Sequence, residues 1–256
     1  MNTFLKQIIK QISTDEKEQF DSFHPDSFRL LERKPPLDVR PLMEKGFFFI
    51  AEVKKASPSK GIIKESLDVI RLAEEYQQAG AGAVSVVTEK NYFLGSKEDL
   101  TAVKRNVEIP VLRKDFLIHP YQIYESYNLG ADFILLIAAC LDEENLKNLY
   151  ADALNLNLQV LLEVHNEEEL FRVLKLNPDM IGINNRNLVT FEVDRKTSLR
   201  LKKLIPESIK VISESGLHSP SHIRELKGAG FSGVLVGEIL CSSPSPGETL
   251  RELMNV

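Results

Sequence analysis

Cysteine is scarce in this chain, and the two present, Cys140 and Cys241, lie far apart with no CxxC pair or Cys/His cluster around either. That speaks against a disulfide framework and a thiolate zinc site, and makes a reducing compartment the expectation. Cys140 follows an apolar run and reads as a buried core thiol. Long apolar runs are missing too. The longest, Phe133 to Leu141, is about half of what a membrane-spanning helix needs. The opening stretch MNTFLKQIIKQISTDEKEQF has neither an extended apolar segment nor a small-residue cleavage site, so no secretory signal is expected. Nor is there an excess of positive charge: 32 Lys and Arg stand against 37 Asp and Glu, a net charge of −5. Such a balance argues against a nucleic acid or an anionic membrane as partner, and any anionic ligand must be held by local cations. The expectation is a cytoplasmic protein.

What the sequence does contain is a repeating pattern. Its 256 residues, 43% of them apolar, can build a sizeable core. After Gly46 no low-complexity linker divides the chain. Short β-branched-rich runs recur at Phe47–Glu52, Ala83–Thr88, Pro110–Lys114, Phe133–Ile137, Gln159–Glu163, Met180–Asn184, Lys210–Glu214 and Gly233–Val236, with starts roughly 20–36 residues apart. They are continuously apolar instead of alternating, so both faces are buried, as in a parallel sheet. Between them lie helical signals. Ser66 to Ile70 opens a helix that ends at the natural C-cap Gly80; Asp142 and Asn166 precede acidic first turns; Ser219-Pro220-Ser221 precedes a helix ending near Gly228. The pattern predicts an α/β fold, a (β/α)8 TIM barrel, with an open doubly wound sheet as the alternative. We read residues 1–256 as a single (β/α)8 barrel domain in which residues 1–46 form an N-terminal helical extension. Leu5, Ile8, Ile9 and Ile12 share one face of an amphipathic helix that either caps one end of the barrel or helps enclose its mouth.

Several strands end in groups that the middle of a buried sheet would not tolerate. Glu52 and Lys54 close the first, two residues apart and so on one side; Lys114, Glu163, Asn184 and Glu214 close the third, fifth, sixth and seventh. Barrel active sites form at these C-terminal ends. Singly, such charges read as solvated rim groups or structural ion pairs; together they suit proton transfer, because buried charges are costly unless paired or used. Asp/His clusters with metal-ligand spacing are absent, so no metal is expected, and His119 and His165 read as loop residues. Glu214-Ser215-Gly216 and Val236-Gly237-Glu238 supply glycine turns where backbone N–H groups could approach an anion, and a short helix after the eighth strand would point at it. Ser57-Pro58-Ser59-Lys60-Gly61 adds hydroxyls and a cation. The residues alone thus describe an acid/base enzyme for a small phosphorylated substrate.

The strings Ala51-Glu-Val-Lys-Lys-Ala-Ser-Pro-Ser-Lys-Gly61, Leu112-Arg-Lys-Asp-Phe116, Leu162-Glu-Val-His165, Ile181-Gly-Ile-Asn-Asn-Arg-Asn-Leu188, Ile212-Ser-Glu-Ser-Gly216 and Leu235-Val-Gly-Glu238 resemble, in order and spacing, those of indole-3-glycerol phosphate synthase. The likeness runs from about Gly46 to the C-terminus and is looser before it. It implies ring closure of 1-(2-carboxyphenylamino)-1-deoxyribulose 5-phosphate with loss of CO2 and water, without cofactor or metal. It further implies that Lys114 is a general acid on the ketone oxygen and Glu163 acts in dehydration. By the same likeness Lys54 binds the substrate carboxylate and assists proton transfer, while Glu52, Asn184 and Glu214 orient lysines and substrate. Ser57, Gly216, Gly237 and Glu238 fall where the family binds phosphate, and Phe93, Phe116 and Leu235 where it lines the anthranilate pocket. Arg186 and Ser215 join as supporting members. In the loop after the second strand, Leu94 stands before Gly95 where relatives commonly carry a polar residue. The rivals are another phosphosugar barrel enzyme, either a phosphoribosylanthranilate isomerase or a Schiff-base aldolase using Lys114, and a catalytically silent barrel serving as a binding module.

Overall fold

A computed structural model describes residues 3–64 and 66–255. Eight parallel strands close into a barrel: β1 Phe48–Val53, β2 Ala83–Val87, β3 Val111–Lys114, β4 Phe133–Ile137, β5 Gln159–Val164, β6 Met180–Asn184, β7 Lys210–Glu214 and β8 Gly233–Val236. Each pairs with its sequence neighbours, and β8 closes on β1 through Phe48↔Gly233 to Ala51↔Val236. The expected runs and the strands differ only at their ends. The fold is the (β/α)8 barrel, and the doubly wound alternative falls because no strand order reverses.

Helices α1 Val69–Ala79, α2 Lys97–Asn106, α3 Pro120–Leu129, α4 Glu143–Asn155, α5 Glu167–Leu174, α6 Lys196–Lys202, α7 Pro220–Gly228 and α8 Pro246–Met254 follow the strands in turn. Their starts are set by side-chain caps: Asp68, Ser96, Asp142, Asn166 and Ser219 each accept from a backbone N–H three residues on. Gly80, at φ 100°, ends α1 as its sequence position implied.

The N-terminal segment divides between the two expectations for it. Its helix, Thr3–Asp15, buries Leu5, Ile8 and Ile12 and lies at the mouth. There Phe4 meets Phe191 of the loop after β6 edge-on at 5.0 Å and Tyr92 of the loop after β2 at 5.4 Å. The stretch before β1 runs beneath the opposite end. Val39 N donates to Gln159 Oε1 at 2.8 Å and Leu37 N to Asp132 Oδ1 at 2.9 Å, at the starts of β5 and β4. Among the described residues no helix is long and apolar enough to cross a membrane.

Candidate active site

The pleat decides which strand-end side chains enter the barrel. Ile50, Leu112, Leu161, Gly182 and Ile212 lie two residues before Glu52, Lys114, Glu163, Asn184 and Glu214, so each polar group stands above a buried apolar layer. Gly182 has a specific part in this: a Cβ there would fall on the Glu214 carboxylate.

These groups form one connected cluster. Lys114 Nζ lies 3.2 Å from Glu163 Oε2 and 3.5 Å from Glu214 Oε2. Lys54 is ion-paired with Glu52. Asn184 Nδ2 donates to Glu163 Oε1 at 3.2 Å, and its Oδ1 accepts from Ser215 Oγ at 2.8 Å and Arg186 N at 3.0 Å. Burial works against the Lys114 charge, but Glu163, Glu214 and Glu52 outweigh it and raise its pKa, so the ammonium persists. Burial likewise opposes the Glu163 charge, and Lys114 and His165 overcome it, holding this carboxyl well below the usual range. Glu214 behaves oppositely. Burial, reinforced by Glu163 and Glu52 against the pull of Lys114, pushes it up to about 8. Two carboxyls with pKa values driven apart beside one persistent cation suit acid/base chemistry.

The cluster floors a cleft of about 1080 Å³, part of it open solvent, and every candidate site residue from the sequence lines it. Phe93 and Phe116, ring centroids 6.2 Å apart, stand with Leu235 on an apolar wall. The short helix Glu238–Cys241 follows β8 after Gly237, and its first residue also lines the cleft. Gly216, at φ 77°, follows Ser215 at φ 67°, and a Cβ on Gly216 would strike Val193. Arg186 Nη2 and Lys60 Nζ each reach the Glu238 carboxylate at 3.3 Å, gathering two cations at this corner. Ser57, in the strand pair Ala56–Ser57 with Gly61–Ile62, is buried beside it.

Three contributors escaped the sequence reading. His165 is no plain loop residue: it is buried between Glu163 and Glu169, its Nε2 3.1 Å from Glu163 Oε1. Glu89, just past β2, accepts from the N–H groups of Asn91, Tyr92 and Phe93 and so carries Phe93 to the cleft. Arg113 is fully buried behind Lys114, bonded to Thr88, Gln122, Glu125, Ser126 and Asp115. Polar residues in or just past an apolar run were the available signal for Glu89 and Arg113. Among the described residues no three His, Cys, Asp or Glu side chains are grouped to hold a metal ion.

The comparisons with known proteins agree with this geometry. The family described as indole-3-glycerol phosphate synthase matches residues 5–253. The chain belongs to the indole-3-glycerol phosphate synthase family. The synthase of Ruminiclostridium cellulolyticum is 46% identical over 91% of this chain and 90% of its own. That of Bacillus cereus is 46% identical over 96% and 95% respectively. Among solved structures, KGPDC from Streptococcus mutans superposes with a TM-score of 0.64 at 12% identity, over 82% of this chain and 96% of that one. A 3-hexulose-6-phosphate synthase gives 0.63 at 14%, over 81% and 98%. At such identities these two speak for the barrel fold alone. Members of the family are decarboxylating carbon–carbon lyases of tryptophan biosynthesis, and this chain is an enzyme of that class.

Proposed function

We propose that the cleft closes the indole ring of 1-(2-carboxyphenylamino)-1-deoxyribulose 5-phosphate, with Lys114 as the general acid and Glu163 as the proton-transfer carboxylate. The aromatic carbon bearing the carboxylate attacks the ketone, forming the ring bond, while Lys114 gives its proton to the ketone oxygen. The carboxylate departs as CO2, its bonding electrons restoring the aromatic ring. Elimination then moves one proton from the new ring to Glu163 while Lys54 gives one to the departing hydroxyl, releasing water.

One observation carries this reading: a buried ammonium held within 3.5 Å of two carboxyls whose pKa values lie on opposite sides of the ordinary value. A Schiff-base aldolase needs a neutral lysine. Lys114 is pushed the other way by its neighbours.

Lys54, oriented by Glu52, serves the substrate carboxylate, and Phe93, Phe116 and Leu235 take its aromatic ring. Ser57, Gly216 and Gly237 take the phosphate, with Arg186 and Ser215 as supporting members. Glu238 does so through its backbone N–H, because its carboxylate is engaged by Lys60 and Arg186. Asn184 and Glu214 orient Glu163 and Lys114. We read the chain as one barrel domain, residues 1–46 being its extension, working in the cytoplasm without cofactor, nucleic-acid or membrane partner; the net charge of −5 supports that reading.

The test is to add the carboxyphenylamino substrate to the protein and follow indole fluorescence. Lys114→Ala should abolish product formation while circular dichroism stays unchanged, and Glu163→Gln should lower kcat by about 10²-fold or more. Near-wild-type turnover in either variant removes that residue from its role. Trapping with borohydride would point instead to an aldolase.

A further inference from the structure

One buried ionisable side chain touches the reacting corner without a part in that chemistry. His165 follows β5 by one residue, and its side chain is 10% exposed. Its Nε2 lies 3.1 Å from Glu163 Oε1, an ion-pair contact without hydrogen-bond alignment, and its Nδ1 is hydrogen-bonded to Glu169 Oε2 at 2.9 Å. Glu169 is itself fixed in the first turn of α5. Its Oε2 also accepts from His165 N at 2.8 Å, and its Oε1 accepts from Asn166 Nδ2 at 2.7 Å. Asn166 in turn caps the helix by accepting from Glu169 N at 2.9 Å. The start of α5 is therefore a rigid clamp on one imidazole edge, and the other edge meets the carboxylate.

The two oxygens of Glu163 are served separately. Oε2 faces Lys114 at 3.2 Å; Oε1 faces His165, with the Asn184 amide at 3.2 Å. Without His165, Oε1 would retain only a neutral donor. We propose that His165 is a positioning residue for Glu163: clamped by Glu169, its ring edge abuts Oε1 and holds the carboxyl against Lys114. This rests on the reading of Glu163 as the proton-transfer carboxylate.

The surroundings agree. Burial disfavours charge on His165, but Glu163 and Glu169 prevail and raise its pKa to about 10. Facing this pair are Lys114 on β3, the Cys140 thiol after β4, Asn184 on β6 and Glu214 on β7. The Cys140 thiol stays protonated, because burial and the two carboxylates push it up. Arg172 of α5 gives its guanidinium to the Ala138 and Leu141 carbonyls and so does not replace the imidazolium.

The experiment measures kcat and KM across pH for the full chain and for His165→Gln, Glu169→Gln and Glu163→Gln, with a thermal melt of each. Glu163 works as the carboxylate, so activity falls as pH drops through its pKa. Losing the imidazolium raises that pKa, and the acid limb moves to higher pH. His165→Gln is expected to lower kcat about tenfold or more with KM within about threefold, its acid limb rising by about one unit. Glu169→Gln should move the limb in the same direction by less. An unmoved limb and kcat within about twofold in both variants overturn the proposal. A purely structural role would lower the melting temperature and leave the limb in place, which also overturns it. Should His165→Gln fail to fold, Glu169→Gln decides alone. If Glu163→Gln itself keeps turnover, the reading of Glu163 fails. If it is inactive while the His165 and Glu169 variants match wild type, only the role of His165 falls.

Discussion

Glu214 lies 3.5 Å from the Lys114 ammonium, yet neither of its buried carboxyl oxygens accepts a hydrogen bond from the described residues. A carboxyl so placed keeps its proton, and burial pushes its pKa from 4.5 to about 8. Between those two pH values the folded state holds a proton that the unfolded chain has released. Stability contributed by this group therefore falls as pH rises through that window, and its full cost is present above about 8. Glu214→Gln, which mimics the protonated form, is expected to melt above wild type at pH 9 and to converge with it below pH 5. Thermal melts across that range check it, and a constant difference at all pH values would contradict the assignment.

Arg113 should be the costliest residue to lose in the layer behind the site. Its guanidinium meets Asp115 at 3.1 Å and Glu125 at 3.0 Å with no exposed surface. Arg113→Met would leave both carboxylates without this buried partner. The expected loss is about 3–5 kcal/mol, or on the order of 10 °C in Tm. Calorimetry of the variant gives the number directly.

The barrel was legible because burial on both faces of a parallel strand leaves an uninterrupted apolar run, a signal that survives without any contact information. Glu52, Lys114, Glu163 and Glu214 were legible for the converse reason: charges at the ends of such runs need an explanation. His165 was not, because its importance comes from Glu169 four residues on. Only the turn into α5 brings that carboxylate onto the imidazole. The segment before β1 was divided between two ends of the barrel by contacts up to 120 residues away, such as Val39 to Gln159. Amphipathic spacing identifies a buried face but not what buries it.

Leu94 marks a strained point in the loop after β2. It adopts φ 54° while 45% exposed, so its side chain gains little from packing to offset the left-handed backbone. The conformation costs about 1–2 kcal/mol in a non-glycine residue, and glycine gives back roughly 0.5–1 kcal/mol through unfolded-state entropy. Leu94→Gly is expected to raise Tm by about 1–3 °C with the ring closure rate retained. A lower Tm would show that the leucine side chain makes a compensating contact.

Gly237 couples the two halves of the site. A Cβ at this position would fall on the Glu52 carboxylate, which is paired with Lys54. The Glu52 backbone is held in place, its carbonyl accepting from Tyr76 Oη at 3.2 Å and Cys241 Sγ at 3.1 Å. Gly237→Ala must therefore either turn Glu52 away from Lys54 or shift the backbone opening the short helix after β8. The first disturbs the end of the cleft proposed for the substrate carboxylate, the second the end proposed for the phosphate. Activity should fall about tenfold or more in kcat/KM while Tm changes little. Restoring space with the double variant Gly237→Ala/Glu52→Asp separates the cases. Partial recovery of kcat/KM identifies the carboxylate as the group displaced, and no recovery assigns the loss to the backbone.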